Sequence, residues 1–587
     1  MFHSQSRLST TAIAIFFLIF FATIALNTYA YSLLILSLIA IWAIMGMSWN
    51  VIGGYVGLVS FGQAAFFGLG AFEVVVLAHD YNVSPWLSLP LSGVIGGVSA
   101  LIIGGVSLRL REFYFALASL AFPLALLYLV EWAGYVELAV PIHRERPWGY
   151  MQFEDPRGLP FVAAILMLLA FLASFAIERS RFGLKLVAIR QDEMAAKAAG
   201  IRTFREKLLA TAISGVMGGL AGGMYALVIL VVTPSSVFGM TISAQAIIIS
   251  MFGGRGTAWG AVLGAVLLVP LSELLNSYFG SMLPGIAGVV YGFAIIFVVL
   301  TFPQGLYWSM LDAARKFRRA KSTTMPMVAN VEALPITRPT KSNGVLLDVQ
   351  DVSVQYGGVR ALQNVSLSVA TGEIVGIIGP NGAGKTTLFN VFSGIQQPTS
   401  GEVIFDGDDT VGKGPDAICE LGVGRTFQTV RAFPRLTLLE NVVVGSFVRF
   451  AADRDALAQA WSVLERVGLR ERAGALGSEL NNRELRLMEL ARALASVPKI
   501  ILLDECLAGL TAEDIEHMIV VLRELRKDNL TIIIIEHTVD AVARLVDRII
   551  VLNYGSVICS GMPAQVLKNE EVITAYLGKR WAAHAKG

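Results

Sequence analysis

The sequence has little charge, little cysteine and little histidine. Asp, Glu, Lys and Arg make up 15% of its 587 residues, and the formal net charge is +2. A balance this close to zero gives no reason to expect nucleic acid as a partner. The three cysteines (Cys419, Cys506 and Cys559) lack metal-ligand spacing, and the six histidines are scattered. We therefore interpret the cysteines as reduced cytosolic thiols and expect no metal cluster.

Long apolar runs, in contrast, are plentiful. Hydrophobic residues make up 55% of the chain, and the mean hydropathy of +0.65 is too high for a soluble enzyme. A membrane span needs roughly 20 apolar residues. Ten candidate spans are at 12–28, 31–52, 56–79, 86–107, 113–134, 159–178, 207–230, 236–253, 258–276 and 285–303. Residues 1–310 are therefore predicted to form a polytopic α-helical membrane domain of about ten transmembrane helices in the lipid bilayer.

Basic residues indicate how these spans are oriented. Loop 178–207 carries eight Lys or Arg residues and segment 315–321 carries five, so both are expected on the cytosolic side. Both termini then lie inside, although two arginines in loop 143–148 fall on the predicted outer side. The first span, which ends in NTYA, is expected to remain as an anchor, with cleavage as a signal peptide the alternative.

Composition changes sharply after the last span. Residues 311–345 are basic and then rich in Pro, Thr and Ser, which predicts a solvated linker. Over 346–587, short β-branched runs alternate with charged helical patterns. This alternation predicts a cytosolic α/β domain.

Residues 372–390, GEIVGIIGPNGAGKTTLFN, contain the strongest motif in the chain. The stretch 379–386 fits the P-loop pattern G-x-x-x-x-G-K-[ST] between a predicted strand and a predicted helix. In this pattern backbone N–H groups surround the β-phosphate, the lysine reaches the β- and γ-phosphates, and the hydroxyl binds Mg²⁺. We therefore expect ATP to bind at Gly379, Asn381, Gly382, Ala383, Gly384, Lys385, Thr386 and Thr387, with Thr386 also a metal ligand.

Two later apolar strands end in residues suited to phosphate chemistry. KIILLDE (499–505) ends in Asp504, which is placed to hold Mg²⁺, and in Glu505, which is placed to deprotonate the attacking water. TIIIIEH (531–537) ends in His537, for which a γ-phosphate contact is expected. The P-loop upstream makes these assignments specific, and the C-terminal part is predicted to be an α/β P-loop ATPase.

The order of these motifs over 346–583 resembles the ATP-binding cassette (ABC) transporters. Two stretches, 424–442 and 547–567, look like the G-type ATPase of branched-chain amino acid importers. The membrane half is similar to the M-type permease of the same importers, at SFGQAAFFGLGAF (60–72), 178–210, FGGRGTAWGAVLGA (252–265) and FPQGL (302–306). The resemblance implies that two subunits of one transporter are fused in one chain.

The resemblance also implies particular roles and partners. Tyr356 is expected to stack on adenine, and Gln428 is expected to contact Mg²⁺ and the γ-phosphate and to signal to the membrane domain. AIRQDEMAAKAAGI, within loop 178–210, has the pattern of a coupling helix that docks on the ATPase. A second permease, a second ATPase and a periplasmic binding protein are implied, at the bacterial inner membrane. The alternatives are a half-size exporter, a membrane-anchored regulatory ATPase, and an importer of amides, urea or small aromatic acids.

One motif departs from the family pattern. The signature normally reads LSxGQ, whereas this chain has Leu480-Asn481-Asn482-Arg483-Glu484. Asn481 is still able to cap a helix, but Arg483 adds bulk and Glu484 adds negative charge beside phosphate. We therefore predict a heterodimer in which the site built on this signature is impaired and the site built on this P-loop is competent. Cys506 stands where the family usually has proline.

The membrane half contains two unusual features. Residues 60–72 mix Ser60, Gln63 and glycines within an apolar run, which is typical of a broken or tightly packed helix near a transport pathway. Glu73 lies within a predicted span, and either lines a pathway or reaches the outer interface. Gly215, Gly219 and Gly223 recur at a spacing that lets membrane helices approach closely.

Overall fold

The computed structural model describes residues 6–110, 112–143, 145–279, 305–311, 344–537 and 539–577, with a few further positions between 289 and 336. The described residues form two compact units. The first lies within 1–190 and 204–324, and the second combines 191–203 with the part from 325 onward. The second unit thus includes a short piece of the loop between two membrane helices.

The first unit is almost entirely helical. Its helices are α1 (Ser6–Leu26), α2 (Ala30–Trp49), α3 (Gln63–Tyr81), α4 (Pro85–Ser107), α5 (Glu112–Trp132), α6 (Gly158–Glu178), α7 (Arg181–Gln191), α9 (Thr203–Ile229), α10 (Pro234–Phe238), α11 (Met240–Gly253) and α12 (Ala258–Phe279). Helix α8 (Glu193–Ala198) belongs to the second unit. Two-residue strands β1 (Leu138–Ala139) and β2 (Val231–Val232) pair antiparallel in the first unit.

The predicted membrane spans correspond to these helices. Among the described residues, eight helical segments are long and apolar enough to cross a membrane, and α1 adds the shorter apolar segment Thr11–Leu26. The predicted span 236–253 comprises two helices, α10 and α11. The predicted span 285–303 and the predicted linker 311–345 lie largely outside the described residues. The chain is a multi-pass membrane protein.

Glycines permit close helix contacts in this unit. A Cβ placed on Gly215 would lie 2.3 Å from the Gly96 carbonyl oxygen, and one on Gly219 would lie 2.1 Å from the Ser92 carbonyl oxygen. Helices α4 and α9 therefore meet backbone to backbone, which a larger residue at either position would prevent. The structure shows the close packing that the glycine spacing predicts.

The second unit contains two sheets. Its strands are β3 (Val345–Tyr356), β4 (Val359–Ala370), β5 (Ile374–Ile378), β6 (Ser400–Phe405), β7 (Asp408–Asp409), β8 (Val423–Arg425), β9 (Ile500–Asp504), β10 (Thr531–Ile535), β11 (Arg548–Asn553) and β12 (Ser556–Gly561). Its further helices are α13 (Lys385–Phe392), α14 (Pro415–Leu421), α15 (Leu438–Ser446), α16 (Asp453–Arg466), α17 (Asn482–Ala495), α18 (Ala512–Lys527), α19 (Val539–Ala543), α20 (Pro563–Val566) and α21 (Glu570–Leu577).

The larger sheet has the order β12-β11-β5-β10-β9-β8, and the smaller one has the order β4-β3-β6-β7. Strands β11, β5, β10, β9 and β8 are parallel to one another, whereas β12 pairs antiparallel with β11 and the whole smaller sheet is antiparallel. Strands β5, β9 and β10 are buried along their whole length, as parallel strands covered on both faces require. The predicted fold class, membrane helices followed by an α/β P-loop ATPase, is confirmed.

Candidate functional site

The register of the central strands brings the predicted site residues to one edge of the larger sheet. Ile535 of β10 pairs with Ile377 of β5 on one side and with Asp504 of β9 on the other. The P-loop and Glu505 follow directly after β5 and β9, and His537 lies two residues after the end of β10. Parallel strands end at the same edge, so residues far apart in sequence become neighbours there.

The P-loop has the backbone conformation that its glycines allow. Gly382 and Gly384 have φ of +81° and +101°, a left-handed region that favours glycine. A Cβ on Gly379 would lie 2.2 Å from the Leu552 carbonyl oxygen, so this position has no room for a side chain. The Lys385 ammonium donates to the carbonyl oxygens of Gly379 (2.7 Å) and Pro380 (3.0 Å). Burial lowers the pKa of Lys385.

The three predicted catalytic residues form one hydrogen-bonded cluster. Glu505 Oε1 accepts a hydrogen bond from Gln428 Nε2 (3.0 Å) and lies 2.9 Å from His537 Nε2. Glu505 itself has φ of +49°, an uncommon conformation for a residue with a side chain. Backbone strain of this kind is often found where a side chain must be held in a set direction for chemistry.

Asp504 is suited to hold a cation. Its side chain is 1% exposed, and its Oδ1 atom is buried without a hydrogen-bond partner among the described residues. Burial raises the pKa of Asp504, and the nearby Arg425 guanidinium opposes that rise. A buried carboxylate oxygen without a donor fits Mg²⁺, which prefers oxygen ligands. Thr386, the second predicted ligand, is exposed in the first turn of α13 beside this edge.

Arg425 is a site residue that the sequence analysis did not single out. Its guanidinium lies 3.5 Å from Asp504 and also donates to the Phe389 carbonyl oxygen (3.1 Å) and to the Ser393 hydroxyl (2.5 Å). Burial lowers the pKa of Arg425 to about 10. This arginine is the last residue of β8, and it orients the carboxylate that we expect to bind the metal ion.

Arg425→Met is expected to destabilise the protein, because the buried Asp504 would lose the guanidinium that lies 3.5 Å away. The cost is about 3 kcal/mol, which corresponds to a Tm about 6–12 °C lower for a domain of this size. Thermal unfolding of the full-length protein in detergent measures the change. Arg466→Met is the control, because its pair with Asp528 is partly exposed and is worth less than about 1 kcal/mol. Equal Tm values for the two variants would contradict the expectation.

Tyr356 lies at the tip of a hairpin that reaches the P-loop. It pairs with Val359 where β3 turns into β4, and its side chain is 47% exposed. Farther along β4, the Ala361 carbonyl oxygen would lie 2.6 Å from a Cβ on Gly384. The hairpin therefore contacts the phosphate loop through its backbone, with the exposed aromatic ring nearby at its tip.

Cys506 is packed into the core directly after Glu505. Its thiol is 5% exposed, and burial raises its pKa well above the ordinary value, so it stays protonated. The next residue, Leu507, donates its N–H to the buried carboxylate of Glu536 (2.6 Å). The segment after β9 is thereby attached to the end of β10, one residue before His537.

The altered signature begins a regular helix. Asn481 caps α17 by accepting the Glu484 N–H (2.9 Å), and the Glu484 carboxylate accepts the Asn481 N–H in return (3.0 Å). Glu484 also pairs with Arg472 (2.9 Å). Arg483 lies 3.5 Å from Asp514 of α18. The negative charge expected beside phosphate is therefore partly compensated, whereas the bulk of Arg483 remains at the glycine position.

The predicted coupling segment packs on the ATPase within the second unit. Asp192 caps α8 by accepting the Ala195 N–H (2.8 Å), so the segment is divided between α7 and α8. The same carboxylate accepts hydrogen bonds from Arg431 Nη1 (2.9 and 3.1 Å). A Cβ on Gly200 would lie 2.6 Å from Val448, which shows how closely this segment packs against the ATPase surface.

From Arg431, polar contacts continue into helix α17. The Arg431 N–H donates to Glu489 Oε1 (3.2 Å), and Glu489 is 1% exposed. Arg486, also on α17, donates to the carbonyl oxygens of Phe427 (3.2 Å) and Gln428 (2.9 Å). The segment that carries Gln428 is therefore held by the signature helix and also contacts Asp192. Sequence reasoning did not identify Glu489 or Arg486, because only the folded contacts give them this position.

Three family models match the chain. The model described as "Branched-chain amino acid transport system / permease component" matches residues 31–299. The model "ABC transporter" matches 362–508, and the model "Branched-chain amino acid ATP-binding cassette transporter" matches 556–582. The matched regions fall in both halves of the chain.

Individual proteins are similar to the C-terminal half. The high-affinity branched-chain amino acid transport ATP-binding protein LivG of Escherichia coli K12 is 38% identical over 252 residues, which is 40% of this chain and 98% of that protein. The corresponding protein BraF of Pseudomonas aeruginosa is 36% identical over 250 residues, again 40% and 98%. A solved ATP-binding cassette of an ABC transporter, in its ADP conformation, is 30% identical, with a TM-score of 0.37 and coverage of 40% and 99%.

Proposed function

The chain belongs to the branched-chain amino acid ABC transporter family, as a permease fused to an ATP-binding subunit, and we propose that it forms part of an ATP-driven importer for branched-chain amino acids. It is an ATPase coupled to transmembrane transport. One observation carries the proposal. A region that matches a permease family is joined, in a single chain, to an ATPase in which Gln428, Glu505 and His537 form one hydrogen-bonded cluster. We propose domain boundaries of 1–310 for the permease, 311–345 for the linker and 346–587 for the ATPase.

The geometry supports a distinct role for each site residue. The glycine loop and Lys385 bind the phosphates of ATP, while Tyr356 stacks on the base. Thr386, Gln428 and Asp504 hold Mg²⁺, which when bound neutralises phosphate charge. Glu505 deprotonates the attacking water, and its contact with His537 Nε2 holds both side chains toward the γ-phosphate.

The proposed assembly is a heterodimer. A second permease, a second ATPase and a periplasmic binding protein complete it, in the bacterial inner membrane with the ATPase domains in the cytoplasm. Because Arg483 occupies the glycine position of the signature, the composite site built on this P-loop and the partner's signature is the competent one. The contact between Asp192 and Arg431 connects the ATPase to the loop between two membrane helices.

Reconstitution tests this function directly. Proteoliposomes containing the full complex, with binding protein on the outside, are expected to accumulate labelled leucine when ATP is supplied at the ATPase side. Lys385→Ala is expected to abolish accumulation, whereas Lys413→Ala, on a surface loop outside the site, is expected to leave it unchanged. ATP-driven loss of leucine to the binding-protein side, or uptake that does not need the binding protein, would contradict an importer.

A further inference from the structure

Helix α3 begins inside the helical bundle. Its first residue, Gln63, is fully buried; it accepts a hydrogen bond from Ser48 Oγ (2.9 Å) and donates to Ser214 Oγ (3.1 Å). Ser214 lies 11 residues after the start of α9 at Thr203, which is about 16 Å along that helix. The chain therefore reaches the depth of Ser214 in the bundle before α3 starts.

The approach to α3 is a non-helical segment, 57–62, between a π-helix (Asn50–Val56) and Gln63. Side chains from other helices hold its backbone: the Phe61 N–H donates to Ser119 Oγ (3.0 Å), and Ser243 Oγ donates to the Phe61 carbonyl oxygen (2.6 Å). Irregular backbone at membrane depth is stable only where it is buried in protein or lines a water-filled cavity. This arrangement is common beside transport pathways.

One face of α3 is only partly covered by the rest of the described chain. From Gln63 to Ala78, four positions are partly exposed: Leu69, Glu73, Val76 and Leu77. Their spacing of three and four residues places them along one side of the helix. We refer to these four residues as the α3 stripe.

Glu73 is the polar member of the α3 stripe. Both of its carboxylate oxygens are buried and have no hydrogen-bond partner among the described residues. It lies ten residues after the start of α3 and eight before its end, about 15 Å and 12 Å along the helix. A carboxylate on a membrane helix rarely faces lipid, because an unpaired charge in hydrocarbon is costly. We therefore expect the α3 stripe to face a polar space rather than lipid.

We propose that the α3 stripe lines the translocation pathway and that the Glu73 carboxylate binds the α-ammonium group of the transported amino acid. An ammonium ion supplies the charge and the hydrogen-bond donors that both Glu73 oxygens lack. Leu69, Val76 and Leu77 provide apolar contacts for a branched aliphatic side chain next to that group. This assignment rests on the proposed import of branched-chain amino acids.

Cysteine accessibility tests the position of the α3 stripe. In a Cys559→Ser background, which leaves the buried Cys419 and Cys506, Leu69→Cys and Val76→Cys are compared with Val98→Cys on α4. Val98 is 50% exposed in the chain and is expected to face lipid. A water-soluble maleimide reacts with thiolates, which form only in contact with water. In the reconstituted complex, we expect labelling at positions 69 and 76 to be at least about tenfold faster than labelling at position 98.

Substrate protection then tests Glu73. Leucine delivered by the binding protein is expected to slow labelling of Val76→Cys at least about fivefold, and Glu73→Gln is expected to remove this protection. Equal labelling at positions 76 and 98 would overturn the pathway assignment, and full protection in Glu73→Gln would overturn the role of the carboxylate. Leucine uptake by the unlabelled background protein is measured first, so that failure of import is distinguished from failure of this inference.

Discussion

Glu505→Gln is expected to lower ATP turnover by the assembled transporter about a hundredfold to a thousandfold. Glu505 is held by Gln428 and His537 at the edge where the P-loop and Asp504 meet, which is the position for a general base. General-base catalysis typically contributes about 10²–10⁴-fold, and glutamine keeps the size and hydrogen-bonding shape of the side chain without its basicity. Phosphate release by the reconstituted complex, with nucleotide binding measured in parallel, gives the result.

Glu516→Gln is the matched control for this change. Glu516 lies on α18 of the same unit and forms an exposed pair with Arg544, so its substitution removes the same charge away from the site. Its turnover is expected to stay within about twofold of the wild type, since exposed pairs contribute little. If turnover in Glu505→Gln also stayed at that level while ATP still bound, Glu505 would not be the base of the competent site.

The same experiment tests the asymmetry of the heterodimer. A Glu→Gln change at the base of the partner ATPase acts on the site built with the LNNRE signature of this chain. That change is expected to have a much smaller effect than Glu505→Gln, because Arg483 stands where a small residue would let the helix approach phosphate. Comparable losses from the two substitutions would show that both sites turn over ATP.

The fold class was predictable because its signals are local. Apolar runs of about 20 residues indicate membrane helices wherever they occur, and the P-loop glycines specify a turn between a strand and a helix. The strand ends at Asp504 and Ile535 were likewise visible as apolar runs followed by polar residues. Parallel pairing then brings these ends together without further information.

The support around the site was not predictable, because it depends on contacts between distant residues. Arg425 is 79 positions from Asp504 in sequence, and nothing in GRTFQ indicates which side chain will reach that carboxylate. In the sequence, Glu489 lies in a helical pattern and looks like an ordinary surface residue, but in the structure it is 1% exposed. The break that Asp192 introduces between α7 and α8 was also missed, since the helical pattern continues across it.

Asp192→Asn is expected to reduce leucine transport about tenfold or more while ATP turnover is retained. Asparagine caps a helix as well as aspartate does, so α8 keeps its start, and the variant removes the charge that pairs with Arg431. Because Arg431 also donates to Glu489 of the signature helix, loss of the pair separates the coupling segment from the nucleotide site. Coupling free energies between sites of about 1–3 kcal/mol correspond to changes of about 5–150-fold.

A double-mutant cycle distinguishes coupling from general damage. Arg431→Met is expected to give the same loss of transport per ATP as Asp192→Asn, and the double variant is expected to lose little more, because both changes remove one interaction. Arg202→Met is the control, since Arg202 pairs with Glu420 on the exposed surface of the same unit. Two outcomes would contradict this role: the losses from the two single variants add independently, or Arg202→Met lowers transport per ATP equally. In either case the Asp192–Arg431 contact would be ordinary packing and would carry no specific signal between nucleotide turnover and the membrane helices.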